Sequence, residues 1–464
     1  MTESVPILDG ELPSEEPVPS SWWAERRKAA WEKFQDLPMP SAKDIDWRFA
    51  SVRSLRLDAF QRFEATEDSI SKVIDKSRLG IESAGQLVFA NDKLQDFSSI
   101  TSSFKEQGVI WTSLSEAVTE YGDLVEKYFM SQPIDLGSEK FASLHDAYCQ
   151  AGSFLYVPKG VEVELPFLAF HWLSGENASV FPHTLIVAES MSKVTLVDFY
   201  QSLGDDPGLA CSLSDLYVGE GAQVKYVANQ NWSEKVQSFQ INATECAKDS
   251  AARSLYINVG GKFSRIENQS RLMGSGARSE MLAVTASHDK QEFDQRTLQN
   301  HCAPHTWSDL LYKNALSNKS RCIFSGLIMV QEEAAHTDAY QTNRNLLLNP
   351  QAEADSMPGL EILNDDVKCS HGSTTGQVDE EELFYMLARG IDEKKAKELI
   401  VQGFLDEVTT RLELDQVEDW IRQTIAKKFV KTKAIEDVKE DLVSAKVSSA
   451  AEETVDLRKL QGLE

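Results

Sequence analysis

No apolar run in this 464-residue chain approaches the roughly 20 residues that cross a bilayer, so no membrane-spanning helix is expected. Basic residues are in deficit: 47 Lys and Arg face 73 acids, a formal net charge of -26. A surface of that sign repels nucleic-acid phosphates and anionic lipid, which excludes both as partners. The six cysteines (149, 211, 246, 302, 322 and 369) include no C-x-x-C pair, so neither a disulfide framework nor a self-contained zinc site is indicated, and most should be small buried hydrophobes. Nucleotide-binding loops are missing too. The Gly261-Lys262 pair lacks an upstream Gly and runs into Phe263, and no G-x-G-x-x-G occurs. The first twenty residues hold five acids, four prolines and no Lys or Arg, the opposite of a basic targeting signal, so the expected compartment is the cytoplasm.

The pattern changes along the chain divide it into five parts. Residues 1–20 read as a flexible acidic lead, and 21–150 as a helical and mixed domain. In the latter, Trp23, Ala30, Trp31 and Phe34 share a helix face, Ile70, Val73 and Ile74 mark a second helix, and a third is expected over about 115–128. QLVFA (86–90) and VIW (109–111) read as strands. Over 151–375 the period falls to two, as in VEVEL (161–165), KVTLVDF (193–199), QVKYV (223–227), SLYINV (254–259) and FSRIE (263–267). Periodicity leaves a sandwich, a barrel and a solenoid open. A helical region, 376–430, follows. Asp379 and Asp392 are placed to cap helices and Gly390 to end one; Ala396, Leu399, Ile400, Gly403, Phe404 and Val408 form an apolar stripe, and Val417, Trp420, Ile421 and Ile425 a further one. Beyond Phe429 there are no aromatics, and 431–464 reads as a charged tail.

The densest chemistry lies in GLEILNDDVKCSHGSTTGQVDEEELFYMLARG, residues 359–390. In extended chain, residues i and i+2 point to one side, so Cys369 and His371 can present sulfur and nitrogen together. Iron–sulfur clusters and soft metals take about four such ligands, so this is half a site. A plain alternative is a buried Cys beside a His satisfied by a backbone carbonyl. A Cys–His nucleophilic dyad fits poorly, because adjacency on one strand does not aim the ring at the sulfur. HCAPH (301–305) offers two imidazoles and a thiol, but its central proline favours a turn between strands. His336 and Asp338 suit a polar strand face better than a metal site.

Several ordered segments carry a family resemblance: RRKAAWEKFQDLP and DWRF near the start, then QNHCAPHTWSDLLYKNAL, FSGLIMV, TDAYQTNRNLLL, LEI, DDVKCSHG, LFY and RGI. Together they resemble the SufB/SufD family of scaffold subunits in the SUF iron–sulfur cluster assembly system. Within it the chain looks like the SufD branch, since a Glu-rich HEAT-like stretch is expected of SufB where CSHG stands here. The resemblance implies a right-handed parallel β-helix core flanked by an N-terminal helical (α/β) domain and C-terminal helices. It implies a non-catalytic scaffold that pairs with a SufB-like paralogue and binds a SufC-like ABC ATPase, which would hydrolyse the ATP. Cys369 and His371 would then hold a transient iron–sulfur cluster shared with the partner subunit, with no cofactor stably bound to the chain alone. Phe384, Tyr385, Arg389 and Gly390 would lie near the ATPase-docking surface. The competing readings are a β-solenoid interaction module without a metal role, a SufB-like subunit, and a free-standing thiol hydrolase.

Overall fold

A computed structural model describes residues 5–6, 21–55, 57–62 and 64–430. Of the acidic lead only Val5–Pro6 is described, as a short strand antiparallel to Gln61–Arg62; the rest of the lead and the 431–464 tail lie outside the described residues.

The chain is mainly β, and its centre is a parallel β-solenoid. One sheet contains eight parallel strands from Phe167–Leu173 to Lys368–Gln377, and the opposing sheet takes the intervening strands down to Glu353–Ile362. Each strand pairs with the next strand but one: Gln223 with Ala251, Ala251 with Arg278, Arg278 with Trp307, Trp307 with Asp338 and Asp338 with Lys368, a turn of 27 to 31 residues. The repeat is therefore geometric although the sequence shows no clean one. Corners are fixed by left-handed residues stacked turn on turn, namely Met191, Gly221, Asp249, Gly276, His305 and His336 with φ between 54° and 76°. Their amides bond to the following turn, as in Asp249 to Ser275 and His305 to Ala335. Because Gly and Asp tolerate this region and larger residues are carried by stacking, the corner leaves no consensus motif to read.

Period-two alternation divides each strand between lumen and exterior. Leu196, Val224, Tyr226 and Tyr312 fill the lumen, whereas Val197, Val227, Leu255 and Leu282 point outward beneath the C-terminal helices. On the opposite sheet Leu209, Cys211, Phe239 and Phe263 point outward under Trp31, Phe34, Trp47, Phe141 and Tyr148 of the N-terminal region. Both sheets are thus sandwiched between lumen packing and a helical layer, as buried parallel sheets require.

Local expectations are met with three corrections. The first helix runs Ser21–Asp36 with Trp23, Ala30, Trp31 and Phe34 buried. VEVEL is not a strand: Val161 and Val163 are buried, but only Glu162 pairs, in a single bridge to Lys193. The helix expected over 115–128 is two, Leu114–Glu120 and Gly122–Tyr128, broken where Tyr121 leaves helical geometry (φ -130°, ψ 37°). In the helix Glu393–Thr409 the buried stripe is Ala396, Val401, Leu405 and Val408, while Leu399 is 38% exposed and Gly403 is exposed. The helix is rotated toward Lys313, whose ammonium donates to the Phe404 carbonyl (2.7 Å) and pairs with Glu407.

Candidate functional site

The solenoid ends in an uncovered turn. Lys368–Gln377 is the terminal strand of one sheet and Glu353–Ile362 of the other, so each has one edge that no strand among the described residues pairs with. Burial falls toward this end: eight of ten residues are buried in Trp307–Leu316, five of ten in Asp338–Leu347 and none in Glu353–Ile362, and nine of the ten residues of Lys368–Gln377 are exposed. Tyr340, Leu360, Ile362 and Leu363 are exposed at this end. Long bare strand edges carrying apolar side chains are templates for pairing with another chain. The proline in Glu353–Ile362, Pro358, is compatible with an edge position because it has no amide to donate.

Cys369 and His371 sit on this terminal strand, in register with Ala339 and Gln341, which are buried in the lumen. Both side chains therefore face the solenoid axis at its open end, on the same side, as their spacing predicts. Cys369 is half-buried against Ile328, Val330, Ala334, Ala339 and Val367, and His371 is exposed. Burial, aided by the Asp338 carboxylate, pushes the Cys369 thiol up, and the Ala339 backbone only partly opposes this. A raised thiol is the reverse of what a nucleophile needs, which counts against the hydrolase reading. It also means that a cation must draw off the proton before sulfur can ligate. Among the described residues no third His, Cys, Asp or Glu joins Cys369 and His371 to make a group of three possible ligands.

The HCAPH motif forms a turn. His301 ends the strand Glu292–His301 and is fully buried, with Nδ1 against the Thr306 hydroxyl (2.7 Å) and Nε2 against Ser308 (2.8 Å). Burial lowers its pKa to about 4, and both ring nitrogens are satisfied, so it is not placed to bind metal with Cys302. His305 stacks on His336 at 4.7 Å in the corner, and His336 pairs with Asp366 at 3.0 Å, all near the surface.

Beyond the open turn, Asp379 caps the helix Glu380–Leu387, its Oδ1 accepting from the amides of Glu381 and Glu382. No residue of this helix is buried; Phe384 is 71% and Tyr385 58% exposed. The Arg389 guanidinium lies over the Tyr385 ring (3.3 Å) and donates to its carbonyl, which holds the aromatic in place. Gly390 has φ +80° and open space around it, so its requirement is conformational. Phe384, Tyr385, Arg389 and Gly390 thus lie together, but at a different place from Cys369 and His371 along the chain.

Two descriptions of known families match this architecture: "SUF system FeS cluster assembly, SufBD core domain" over residues 171–404 and "SufBD protein N-terminal region" over 19–167. The chain belongs to the SufBD family. Among its relatives, the iron-sulfur cluster assembly protein SufD of Bacillus subtilis (strain 168) is 30% identical over 424 residues, covering 89% of this chain and 96% of that protein. SufB of the same organism is 27% identical over 409 residues (85% and 86%), and a SufBD family protein of Staphylococcus epidermidis (strain ATCC 12228 / FDA PCI 1200) 27% over 426 (89% and 90%). The family therefore places the chain in iron–sulfur cluster assembly. Among the described residues no helix is long and apolar enough to cross a membrane.

Sequence reasoning missed a second group of potential ligands. His145, Cys149 and His183 lie together in the interior. The His-x-x-x-Cys spacing on one helix face was the available signal; His183 comes from a strand and nothing local joins it to the pair.

Proposed function

We propose that this chain is a non-catalytic scaffold subunit that contributes half of a shared iron–sulfur assembly site. The observation that carries this reading is the placement of Cys369 and His371, two donors that no third joins among the described residues, on the lumen-facing side of a terminal strand whose outer edge no described strand pairs with. A SufB-like paralogue would extend the solenoid edge to edge and bring the remaining ligands. Nascent cluster is then cargo, held transiently between subunits. The exposed Phe384 and Tyr385, with Arg389 and Gly390 behind them, supply an aromatic and cationic surface of the kind that anchors protein partners, and a SufC-like ATPase is the partner assigned to it. ATP hydrolysis belongs to that subunit.

Anaerobic co-purification with a SufB-like and a SufC-like protein tests the reading, with stoichiometry and visible absorbance recorded together. Cys369→Ala and His371→Ala should leave assembly intact and abolish cluster maturation. Full maturation with both variants would establish instead a solenoid interaction module with no metal role. A stable, stoichiometric cluster on the isolated, tag-free chain would refute the shared site.

A further inference from the structure

Far from the open end, the helix Glu139–Tyr148 places His145 one turn before Cys149, its C-cap residue, and lays both against His183 of the strand Pro182–Ala188. All three side chains are fully buried. His145 Nε2 and His183 Nδ1 are 3.1 Å apart, and one ring nitrogen of each histidine and Cys149 Sγ lie within 4.8 Å of one another. We propose that His145, Cys149 and His183 form a structural site for one cation of the zinc class, seated between the N-terminal helical layer and the solenoid.

The hydrogen-bond pattern around the rings points to a cation. His145 Nδ1 lies 2.8 Å from the Cys211 carbonyl, which can only accept, so Nδ1 carries the proton and the Nε2 lone pair aims at His183. His183 Nε2 lies 3.6 Å from Asp215 Oδ2 and makes no hydrogen bond. If His183 is protonated toward Asp215, two lone pairs face each other across 3.1 Å; if toward His145, a bare nitrogen faces a carboxylate. The second arrangement is satisfied without metal by a protonated Asp215, a state that its burial favours. A cation between the two nitrogens and the sulfur satisfies the first, and leaves Nε2–H to Asp215, the carboxylate support that metal-ligating imidazoles commonly have.

Distance and charge agree. Two imidazole nitrogens each about 2.0–2.1 Å from a tetrahedral zinc stand roughly 3.4 Å apart, a few tenths more than the separation here. A divalent ion, the Cys149 thiolate and the Asp215 carboxylate sum to zero, as a buried charge cluster must approach. Asp215 is held by the Met130 amide at 2.8 Å. Burial keeps both imidazoles neutral and ready to ligate, His145 near 4 and His183 well below its usual value, while it pushes the Cys149 thiol up. Binding therefore exchanges the thiol proton for a metal–sulfur bond and releases that proton to solvent, with no change in oxidation state. No fourth His, Cys, Asp or Glu joins the group among the described residues, leaving a three-coordinate ion or one completed by water. Because the site is closed, the ion enters as the helix seats on the sheet. This places it away from Cys369 and His371, and its test does not depend on cluster assembly.

The test is metal analysis of the tag-free, full-length chain after refolding with zinc and washing with chelator. The expected result is about one zinc per chain in the wild type and in Cys369→Ser/His371→Ala, and loss of it in Cys149→Ser and His183→Gln. Refolding with cobalt(II) should give a thiolate charge-transfer band in the near ultraviolet that Cys149→Ser lacks. A monodisperse, folded wild-type chain that holds no zinc after this treatment overturns the site whether or not the variants fold. Retention of zinc by Cys149→Ser overturns it equally.

Discussion

Removing the guanidinium of Arg265 should unfasten the N-terminal region from the solenoid. Arg265 is fully buried on the strand Phe263–Leu272; Nη1 donates to Asp294 at 2.6 Å and Nε to Glu267 at 2.9 Å. The same group donates to the carbonyls of Asp46 and Leu136 and lies 4.1 Å from the Trp47 ring. Asp294 also accepts from Arg296, which reaches the Arg48 carbonyl. Two cations and two carboxylates thus form a neutral buried set that ties residues 46–48 and 136 to two adjacent turns. In Arg265→Met one cation is left facing two buried carboxylates and two carbonyls lose a donor, a cost of about 3–5 kcal/mol. Glu267→Gln alone also unbalances the set, but Arg265→Met with Glu267→Gln restores the neutral Arg296–Asp294 pair. The double variant should therefore cost about 1–3 kcal/mol less than the sum of the single ones. Urea unfolding followed by tryptophan fluorescence measures each corner of the cycle, with Trp47 as a local reporter. A single-variant cost below about 1 kcal/mol, or strict additivity, would refute the account.

Other expectations are equally direct. Asp92 accepts from the Phe181 amide at 2.7 Å, and burial raises its carboxyl to about 6 from 3.8. The folded state therefore keeps a proton that the unfolded chain releases, so stability declines as pH rises from about 4 to about 6; Asp92→Asn should remove that decline and stabilise by up to about 3 kcal/mol at pH 8, with little gain at pH 4, as read by urea midpoints. Lys313→Met should loosen the helix Glu393–Thr409 by about 1.5–3 kcal/mol, seen as faster amide exchange there, and unchanged exchange would show that the Phe404 and Glu407 contacts are dispensable. Phe384→Ser with Tyr385→Ser should shift stability by less than about 0.5 kcal/mol yet abolish capture of the ATPase in pull-downs; retained capture would move the docking surface elsewhere. Gly390→Ala should cost about 1 kcal/mol in thermal or urea unfolding because its φ is +80°, with no steric clash to add to it.

Much of the architecture was legible because it rests on local rules. The i, i+2 spacing of Cys369 and His371, the Asp379 and Asp392 caps and the glycine stop at 390 follow from backbone geometry within a few residues. The apolar stripe of Glu393–Thr409 is legible in part: Ala396 and Val408 are buried and Phe404 packs on the same core, but Leu399 and Gly403 face out while Val401 and Leu405 face in, because a local pattern does not fix how far a helix is rotated against its neighbour. VEVEL alternates as a strand does, yet has only one paired residue, since alternation reports burial and a ladder needs a neighbour in register.

By itself the sequence determined the order of helical, β and helical regions and a two-donor motif, because hydrophobic period, caps and short spacings are properties of neighbouring residues; the family came from the resemblance of its motif segments. Periodicity left the sandwich, barrel and solenoid open and the family resemblance pointed to the solenoid; the tertiary structure bears the solenoid out, and it alone decided that the final turn is open and that His183 meets His145 and Cys149 from 34 residues beyond the latter in the chain. Those facts depend on contacts between residues distant in sequence, whose pairing is set by the packing of whole turns.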